Sequence, residues 1–408
     1  MDGSLLRPND TRAADQGVAL DHLRLGWRPV VARDRRVLGV RLEIRAAATG
    51  DASTSTVGAV IAALADQTIS PSRGFVVLAP TSLCLNADLQ AITEWRGRAN
   101  VMLEIGTEAL TGRQLPLIEA AHQSGLKFVL RQTAQPLPRD TQRLFAAAID
   151  DSAGKLARED AISLWVRDVH SRSDVESALR LGAHATIGWP LDEPMVEPSA
   201  GLEPTRRAVL DIVRLIQGDA DVMALERAFK NEPSLALMLL AVINSPSFAP
   251  GAAQSAPITS LRHAILVLGY KRLVRWLVLL LGVSSANTRS MPMIYMAVQR
   301  GLFLEALAGQ VGGMRDDLFA VGAFSLLQQI TGHSHERLFA SAALPRPVLD
   351  AVRAHQGAYG VYLALAEVIE RGDTVGSERA AQLVGVSMGE INAALLSSLA
   401  AADAITMN

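Results

Sequence analysis

Short apolar runs alternate with longer amphipathic stretches along the first half of the chain. Residues 37–44 alternate between apolar and polar positions, which is typical of a half-buried strand. Further short runs predict strands at 75–79, 101–105, 127–130, 162–166 and 185–188, with helices at 57–65, 88–95, 115–122, 144–149 and 173–181. Alternating strands and helices predict βαβ units in a parallel sheet. Their number over about 170 residues favours a TIM-like (β/α) barrel.

The second half of the chain has helical periodicity almost throughout. Val209, Ile212, Val213 and Ile216 fall at i, i+3, i+4 and i+7, which is one face of a helix. Later helical segments are separated at most joints by Gly or Pro, so we expect an all-α domain. A Pro/Gly-rich joint lies between the halves. The predicted organisation is an extension at 1–24, a barrel at 25–196, a linker at 197–204 and a helical domain at 205–408.

Residues 231–283 predict three short helices with marked joints. Nine consecutive apolar residues at 235–243 favour a buried helix too short to cross a bilayer. Asn244-Ser245-Pro246 should end it, because a residue before proline disfavours the helical region. Ser260 is a predicted N-cap for the next helix. Gly269, after Leu268, stands where a helix needs a left-handed C-terminal residue.

The same stretch resembles the HDOD domain family. The motif residues that carry the resemblance are Glu232, Pro233, Leu235, Asn244, Ser245, Phe248, Ile258, Ser260, Leu261, Ala264, Ile265, Leu268 and Gly269. The resemblance implies an all-α relative of the HD phosphohydrolases that lacks their metal-binding residues. In agreement, the chain contains no His-Asp dipeptide.

The landmarks of the first half resemble, in order, those of the EAL domain, a cyclic di-GMP phosphodiesterase barrel. The matching segments are residues 28–31, 39–45, 103–105, 125–130 and 173–194. The resemblance implies carboxylates at several strand ends that hold divalent cations. Such cations activate water and neutralise the phosphate.

Most of the motif acids are replaced in this chain. Where the EAL family has its name-giving glutamate, this chain has Arg41. The paired aspartates correspond to Arg131-Gln132, and a late glutamate corresponds to His170. Of that acidic set only Glu104 remains. We therefore expect a pseudoenzyme, with no catalytic residues, no metal and no cofactor.

Two interpretations of Arg41, Glu104, Arg131 and Gln132 remain open. They could bind an anionic ligand such as cyclic di-GMP or another nucleotide, since guanidinium groups match phosphate geometry. Alternatively, the arginines neutralise Glu104, because a buried carboxylate requires a partner. Asn244 and Ser245 are similarly open to interpretation as a partner site or as a helix cap.

Composition narrows the class of function. A formal net charge of −2 argues against a nucleic-acid partner. The single cysteine, Cys84, rules out an internal disulfide framework and fits a reducing compartment. No signal peptide is visible, and Lys271, Arg272 and Arg275 interrupt the longest apolar stretch, so no membrane partner is expected.

Together these features predict a cytoplasmic, non-catalytic regulatory protein of bacterial signal transduction. It is expected to work as a scaffold that docks other signalling proteins. Self-association as a homo-oligomer and binding of a cyclic dinucleotide without hydrolysis remain open alternatives.

Overall fold

The computed structural model describes residues 20–46, 56–66, 74–80, 85–95, 100–131, 138–150, 162–193, 204–230, 239, 243, 258, 260–283, 291–309, 312–336 and 345–406. Within these residues, the first half of the chain forms a barrel and the second half is helical. The predicted fold class is therefore confirmed.

Eight strands close into a barrel in chain order. They are β1 Leu23–Ala32, β2 Val37–Ala46, β3 Phe75–Pro80, β4 Val101–Gly106, β5 Lys127–Arg131, β6 Phe145–Asp150, β7 Ser163–Val166 and β8 Ala185–Ile187. The helices among them are α1 Thr56–Asp66, α2 Leu85–Glu94, α3 Leu115–Gln123, α4 Arg139–Gln142 and α5 Arg172–Arg180. Apolar side chains from β1, β3, β5, β6, β7 and β8, including Val30, Val77, Val129 and Ile187, form one cluster. Such layers fill the interior of a TIM-like barrel.

The first strand departs from the predicted parallel sheet. β1 runs antiparallel to both β2 and β8, whereas the remaining neighbours are parallel. Residues 33–36 connect β1 to β2 directly. That connection is too short for a parallel crossover, which needs about a dozen residues, so the two strands form a hairpin.

Residues 144–149 do not form the predicted helix, because most of them belong to strand β6. The alanine-rich sequence there favours a helix by intrinsic propensity. A short apolar run cannot, however, be assigned to helix or strand by periodicity alone. β6 pairs with β5 and β7, and Ala147 and Ile149 join the barrel's internal cluster. Pairing within the sheet therefore overrides the local preference.

The helical half continues to the end of the described chain. Its helices are α6 Pro204–Gln217, α7 Val222–Lys230, α8 Leu261–Val283, α9 Met291–Leu307, α10 Gly312–Ser325, α11 Leu327–Thr331, α12 Arg346–Ala354, α13 Gly357–Arg371, α14 Thr374–Val384 and α15 Met388–Thr406. Helices α6, α7 and α8 share a core of their own. The predicted apolar face of α6, from Val209 to Ile216, lies in that core.

A sharp bend divides α8 where the sequence predicts a joint. Gly269 has φ 74° and ψ 152°, a conformation that costs glycine little but strains any other residue. At the start of α8 the Ser260 hydroxyl accepts a hydrogen bond from the His263 amide at 3.4 Å. Pro233, Asn244 and Ser245 lie outside the described residues.

The outer face of β1 is covered by helices from the second half. In a (β/α) barrel each strand is normally covered by the helix that follows it. β1 leads into a hairpin and has no such helix, so α9, α13, α14 and α15 contact it. The Trp27 and Tyr295 rings meet edge to face, with centroids 6.2 Å apart. One hydrophobic cluster consequently contains residues of both halves.

Polar contacts fix β1 and the residues before it against α15. Asn392 is fully buried, and its Nδ2 donates to the carbonyl oxygens of Leu20 and Leu23, each at 3.0 Å. The Gly389 amide donates to Asp21 Oδ1 at 2.6 Å. These bonds supply partners to backbone groups at the contact, where an unpaired buried group would be costly, and the Leu23 carbonyl also accepts from Arg24 Nη1 at 2.9 Å.

Among the described helices, none is by itself long and apolar enough to cross a membrane. The pair Val375–Val384 and Met388–Ala402 meets the length and composition criteria together, with a bend of 100° between its members.

Asn392→Ala should lower the free energy of unfolding by about 1–3 kcal/mol, because it removes the buried donor to two carbonyl groups. Urea denaturation of the full chain measures this loss. Glu378→Gln is the control at the same contact between the halves, where Glu378 is half exposed and pairs with Arg24. Its cost should stay within about 1 kcal/mol. Equal losses for the two variants would contradict the role given to Asn392.

Candidate functional site

The candidate site lies toward the carboxyl ends of the parallel strands, where TIM-like barrels place their functional groups. Arg41 on β2 and Glu104 on β4 meet there. Arg41 Nε donates to Glu104 Oε2 at 2.6 Å, and Arg41 Nη2 donates to Oε1 at 3.0 Å. Each residue is only 6% exposed. The contact is therefore a buried, bidentate ion pair, the strongest geometry that these groups can form.

Arg131, at the end of β5, extends this network toward the rim. Its guanidinium binds the carboxylate of Glu108, and its Nη1 lies 3.9 Å from Glu104 Oε1. The Arg131 side chain remains 31% exposed. Beside it is a cavity of about 140 Å³ whose lining includes Glu104, Glu108 and Asp88. Gln132 lies outside the described residues.

Two further carboxylates act on the buried guanidinium. Burial lowers the pKa of Arg41, but the hydrogen bond and charge of Glu104, together with the charges of Glu43 and Asp168, outweigh burial and raise it. Glu43 lies near the end of β2, and Asp168 follows β7. The motif comparison did not single out Glu43, although it lies in the matching segment 39–45, and it did not cover Asp168. The signal that could have found them is their position, an acid at the carboxyl end of a barrel strand.

A divalent cation does not fit this arrangement. Both carboxylate oxygens of Glu104 accept hydrogen bonds from Arg41. Mg²⁺ and Ca²⁺ need about six or more oxygen ligands, and a guanidinium at the same position repels them. In the described part of the chain, no group of three or more His, Cys, Asp or Glu residues could hold a metal. We therefore assign no reaction step to a metal.

The other singled-out residues are dispersed. Cys84 falls outside the described residues. His170 lies apart from the ion pair, in a cleft between the barrel and the helices. Sequence motifs therefore locate the barrel mouth but not this second concavity, because its walls come from residues that are far apart in the chain.

Helix α13 ends against the mouth of the barrel next to β1. Arg28 Nη2 donates to the Arg371 carbonyl oxygen at 3.2 Å. A side chain at Gly26 would place its Cβ 3.2 Å from Gly372 Cα, so the two backbones pass very close. The C-terminal end of α13 thus forms part of the wall around the mouth.

A second buried ion pair joins α13 to α9. Arg300 on α9 donates to Glu370 through Nε at 2.9 Å and Nη2 at 2.5 Å, and to Ser325 Oγ at 2.7 Å. Burial lowers the pKa of Arg300, but the charge and hydrogen bonds of Glu370 outweigh the effect of burial, so the pKa is raised. The direction of both arginine shifts shows that each guanidinium stays charged and paired.

Comparison with known proteins finds one family match within the helical half. Residues 203–342 match the HDOD domain, which confirms that predicted resemblance. A curated relative, the cyclic di-GMP phosphodiesterase CdgJ of Vibrio cholerae, is 23% identical over 246 residues. The match covers 60% of this chain and 56% of CdgJ, so the chain spans little more than half of that relative.

Two solved structures show similarity to parts of this chain. The PaMucR phosphodiesterase in its c-di-GMP complex is 14% identical, with a TM-score of 0.34, over 43% of this chain and 97% of that one. The Bacillus subtilis YkuI protein has an EAL domain and was solved with c-di-GMP and calcium. It is 14% identical, with a TM-score of 0.35, over 64% of this chain and 77% of that one.

The prediction that the chain is not an enzyme is wrong, because the curated relative that it matches is named a cyclic di-GMP phosphodiesterase. That prediction assumed that replacement of the acidic motif residues abolishes the hydrolysis reaction. It rested on Arg41, Arg131 and Gln132, and it left out Glu43 and Asp168, whose charges reach Arg41 in the folded barrel. The similarity is therefore to a relative that is named as an enzyme.

Arg41→Met should lower the free energy of unfolding by about 3–5 kcal/mol, because it leaves the buried Glu104 carboxylate without its bidentate partner. The double variant Arg41→Met with Glu104→Met should recover most of the loss, since apolar residues of similar volume can replace a buried pair. Urea denaturation measures both.

The control for this pair is Arg36→Gln. Arg36 pairs with Asp34 in the β1–β2 turn, and both side chains are more than half exposed. Its loss should stay below about 1 kcal/mol. If Arg41→Met cost no more than Arg36→Gln, the Arg41–Glu104 pair would not be the structural centre of the mouth.

Proposed function

We propose that this chain works in cyclic di-GMP signalling as a scaffold that docks other signalling proteins. The similarity to the HDOD domain and to CdgJ supports the signalling network. The proposal includes the division into a barrel at 25–196, a linker at 197–204 and helices at 205–408. It also places the protein in the cytoplasm, a reducing compartment that suits a chain with a single cysteine.

The observation that carries the docking function is an exposed apolar pair on α8. Leu266 is 60% exposed and its neighbour Val267 is 48% exposed. Both precede the bend at Gly269 and lie within the HDOD-matched residues 203–342. Exposed apolar area that is covered on association contributes about 25 cal/mol per Å², so the pair could anchor a partner protein.

Leu266→Asp with Val267→Asp should abolish capture of a partner protein, because two charges would then be buried at the contact. The measurement is affinity capture of the tagged full chain from the cells that produce it, with light scattering of the purified chain to separate a partner from a second copy.

Val375→Asp with Leu383→Asp is the matched control. These α14 side chains are also exposed, at 77% and 70%, but they lie outside the HDOD-matched residues. The control should keep the partner. Loss of capture in the control but not in the α8 variant would refute the proposed surface, and a pure homo-oligomer would refute the scaffold role.

Binding of cyclic di-GMP at the barrel mouth is a second candidate function. It is favoured by Arg131, whose partly exposed guanidinium borders the cavity of about 140 Å³. A guanidinium in that position can form bidentate hydrogen bonds to a phosphodiester. The relative's name supports the choice of ligand.

Arg131→Gln should weaken cyclic di-GMP binding by about tenfold or more, because it removes a charge-assisted hydrogen bond. Isothermal titration calorimetry of the full chain measures the affinity, and chromatography of the titrated sample reports any hydrolysis. Arg36→Gln, at the opposite end of the barrel, is the control and should bind normally. Absence of heat at high micromolar ligand, or equal affinity in Arg131→Gln, would exclude this candidate.

A further inference from the structure

A large cleft between the barrel and the helices has no role in the function proposed above. Its volume is about 640 Å³, within the range of about 300–1,000 Å³ that small-molecule sites occupy. Residues from β1 and from the segments after β7 and β8 form one side, and α9 to α13 form the other. The cleft shares no lining residue with the smaller cavity beside Arg131.

The charges in this cleft favour an anion. Four arginines and three carboxylates line it, together with three histidines. Two of the carboxylates are already engaged, since Glu370 binds Arg300 and Glu367 accepts a hydrogen bond from His355 Nε2 at 2.9 Å. The third carboxylate, Asp192, acts on Arg300.

Three further guanidinium groups reach the cleft from separate elements. Arg28 on β1 donates to a backbone carbonyl. Arg353, at the end of α12, helps to lower the pKa of Glu336 through its charge, and Glu336 does not line the cleft. Arg371 at the end of α13 is 62% exposed and lies 3.9 Å from Glu367, too far for a hydrogen bond. Convergent guanidinium groups from different elements are a typical means of binding phosphate.

Most of the uncharged lining is apolar and aromatic. Its apolar members are Trp27, Pro29, Trp189, Leu191, Met296, Leu326 and Val352, and its polar members are Ser325, Gln328 and Gln329. A phosphate alone would leave this surface in contact with water. A ligand with a flat, apolar body as well as a phosphate would cover both kinds of lining.

We propose that the cleft is a binding site for a small organic phosphate with an apolar or aromatic body, and that the bound molecule links the barrel to the helical half. Arg28, Arg353 and Arg371 hold the phosphate, so the site requires residues of both halves. The site differs in position and residues from the candidate cyclic di-GMP site at Arg131.

The test titrates the full chain by calorimetry with adenosine 5′-monophosphate, pyrophosphate and adenosine as probes. The monophosphate should bind most tightly, because it alone offers both a phosphate and an aromatic body. Equal binding of pyrophosphate would refute the contribution of the apolar wall, and equal binding of adenosine would refute the role of the arginines. No detectable binding of any probe at millimolar concentration would refute the site.

Arg353→Gln should weaken binding of the monophosphate at least tenfold. Arg346→Gln is the control on the same helix, since Arg346 is 91% exposed and does not line the cleft. Arg131→Gln should also bind normally. If Arg131→Gln loses binding and Arg353→Gln does not, the ligand is at the barrel mouth and the cleft proposal fails, while the cyclic di-GMP candidate stands.

Hydrogen exchange locates the site independently of the variants. The monophosphate should slow exchange of the amides at 188–192 and 352–356, which lie on the two walls of the cleft. Slower exchange at 104–108, or no change on either wall, would contradict the proposal.

Discussion

The structure depends on the burial of one strand, β1, between the barrel and the helices. Its inward residues, including Val30, complete the barrel's internal cluster. Its outward residues, including Trp27, join the cluster that extends to α9, α13 and α15. Burying a large apolar side chain contributes about 1.5–3 kcal/mol, so several such residues make the contact between the halves a principal source of stability. β1 therefore ties the stability of each half to the other.

The position of the helices follows from the β1–β2 hairpin. The hairpin leaves β1 without a helix of its own, and the missing cover comes from the far end of the chain. Covering β1 also brings the end of α13 against the barrel mouth, where Arg28 binds the Arg371 carbonyl and Gly26 faces Gly372. A conformational change in the helices would therefore occur next to the barrel mouth, which holds the Arg41–Glu104 pair. This arrangement gives the chain a physical route between its two halves.

The sequence predicted those features of the fold that depend on residues close together in the chain. The apolar face of α6 and the bend at Gly269 follow from periodicity and from the conformational freedom of glycine, and both were predicted. The β6 strand was not, because Ala147 and Ile149 are held there by pairing with other strands. Motif comparison located Arg41 and Glu104. Glu43 lies two residues from Arg41 on the same face of β2, whereas the approach of Asp168 depends on barrel closure. The cleft of about 640 Å³ could not be predicted, since Arg28 and Arg353 meet only in the folded chain.

The most direct test of this account is native-state hydrogen exchange of the full chain in low denaturant, which reports the free energy of opening for each segment. If β1 joins the halves as described, the amides of β1, the interior strands and α15 should open with the same free energy and the same denaturant dependence. Asn392→Ala should then lower all of them together. If the α15 amides open at much lower free energy while β1 and the barrel stay protected, and Asn392→Ala affects α15 alone, the two halves are independent and the account is contradicted.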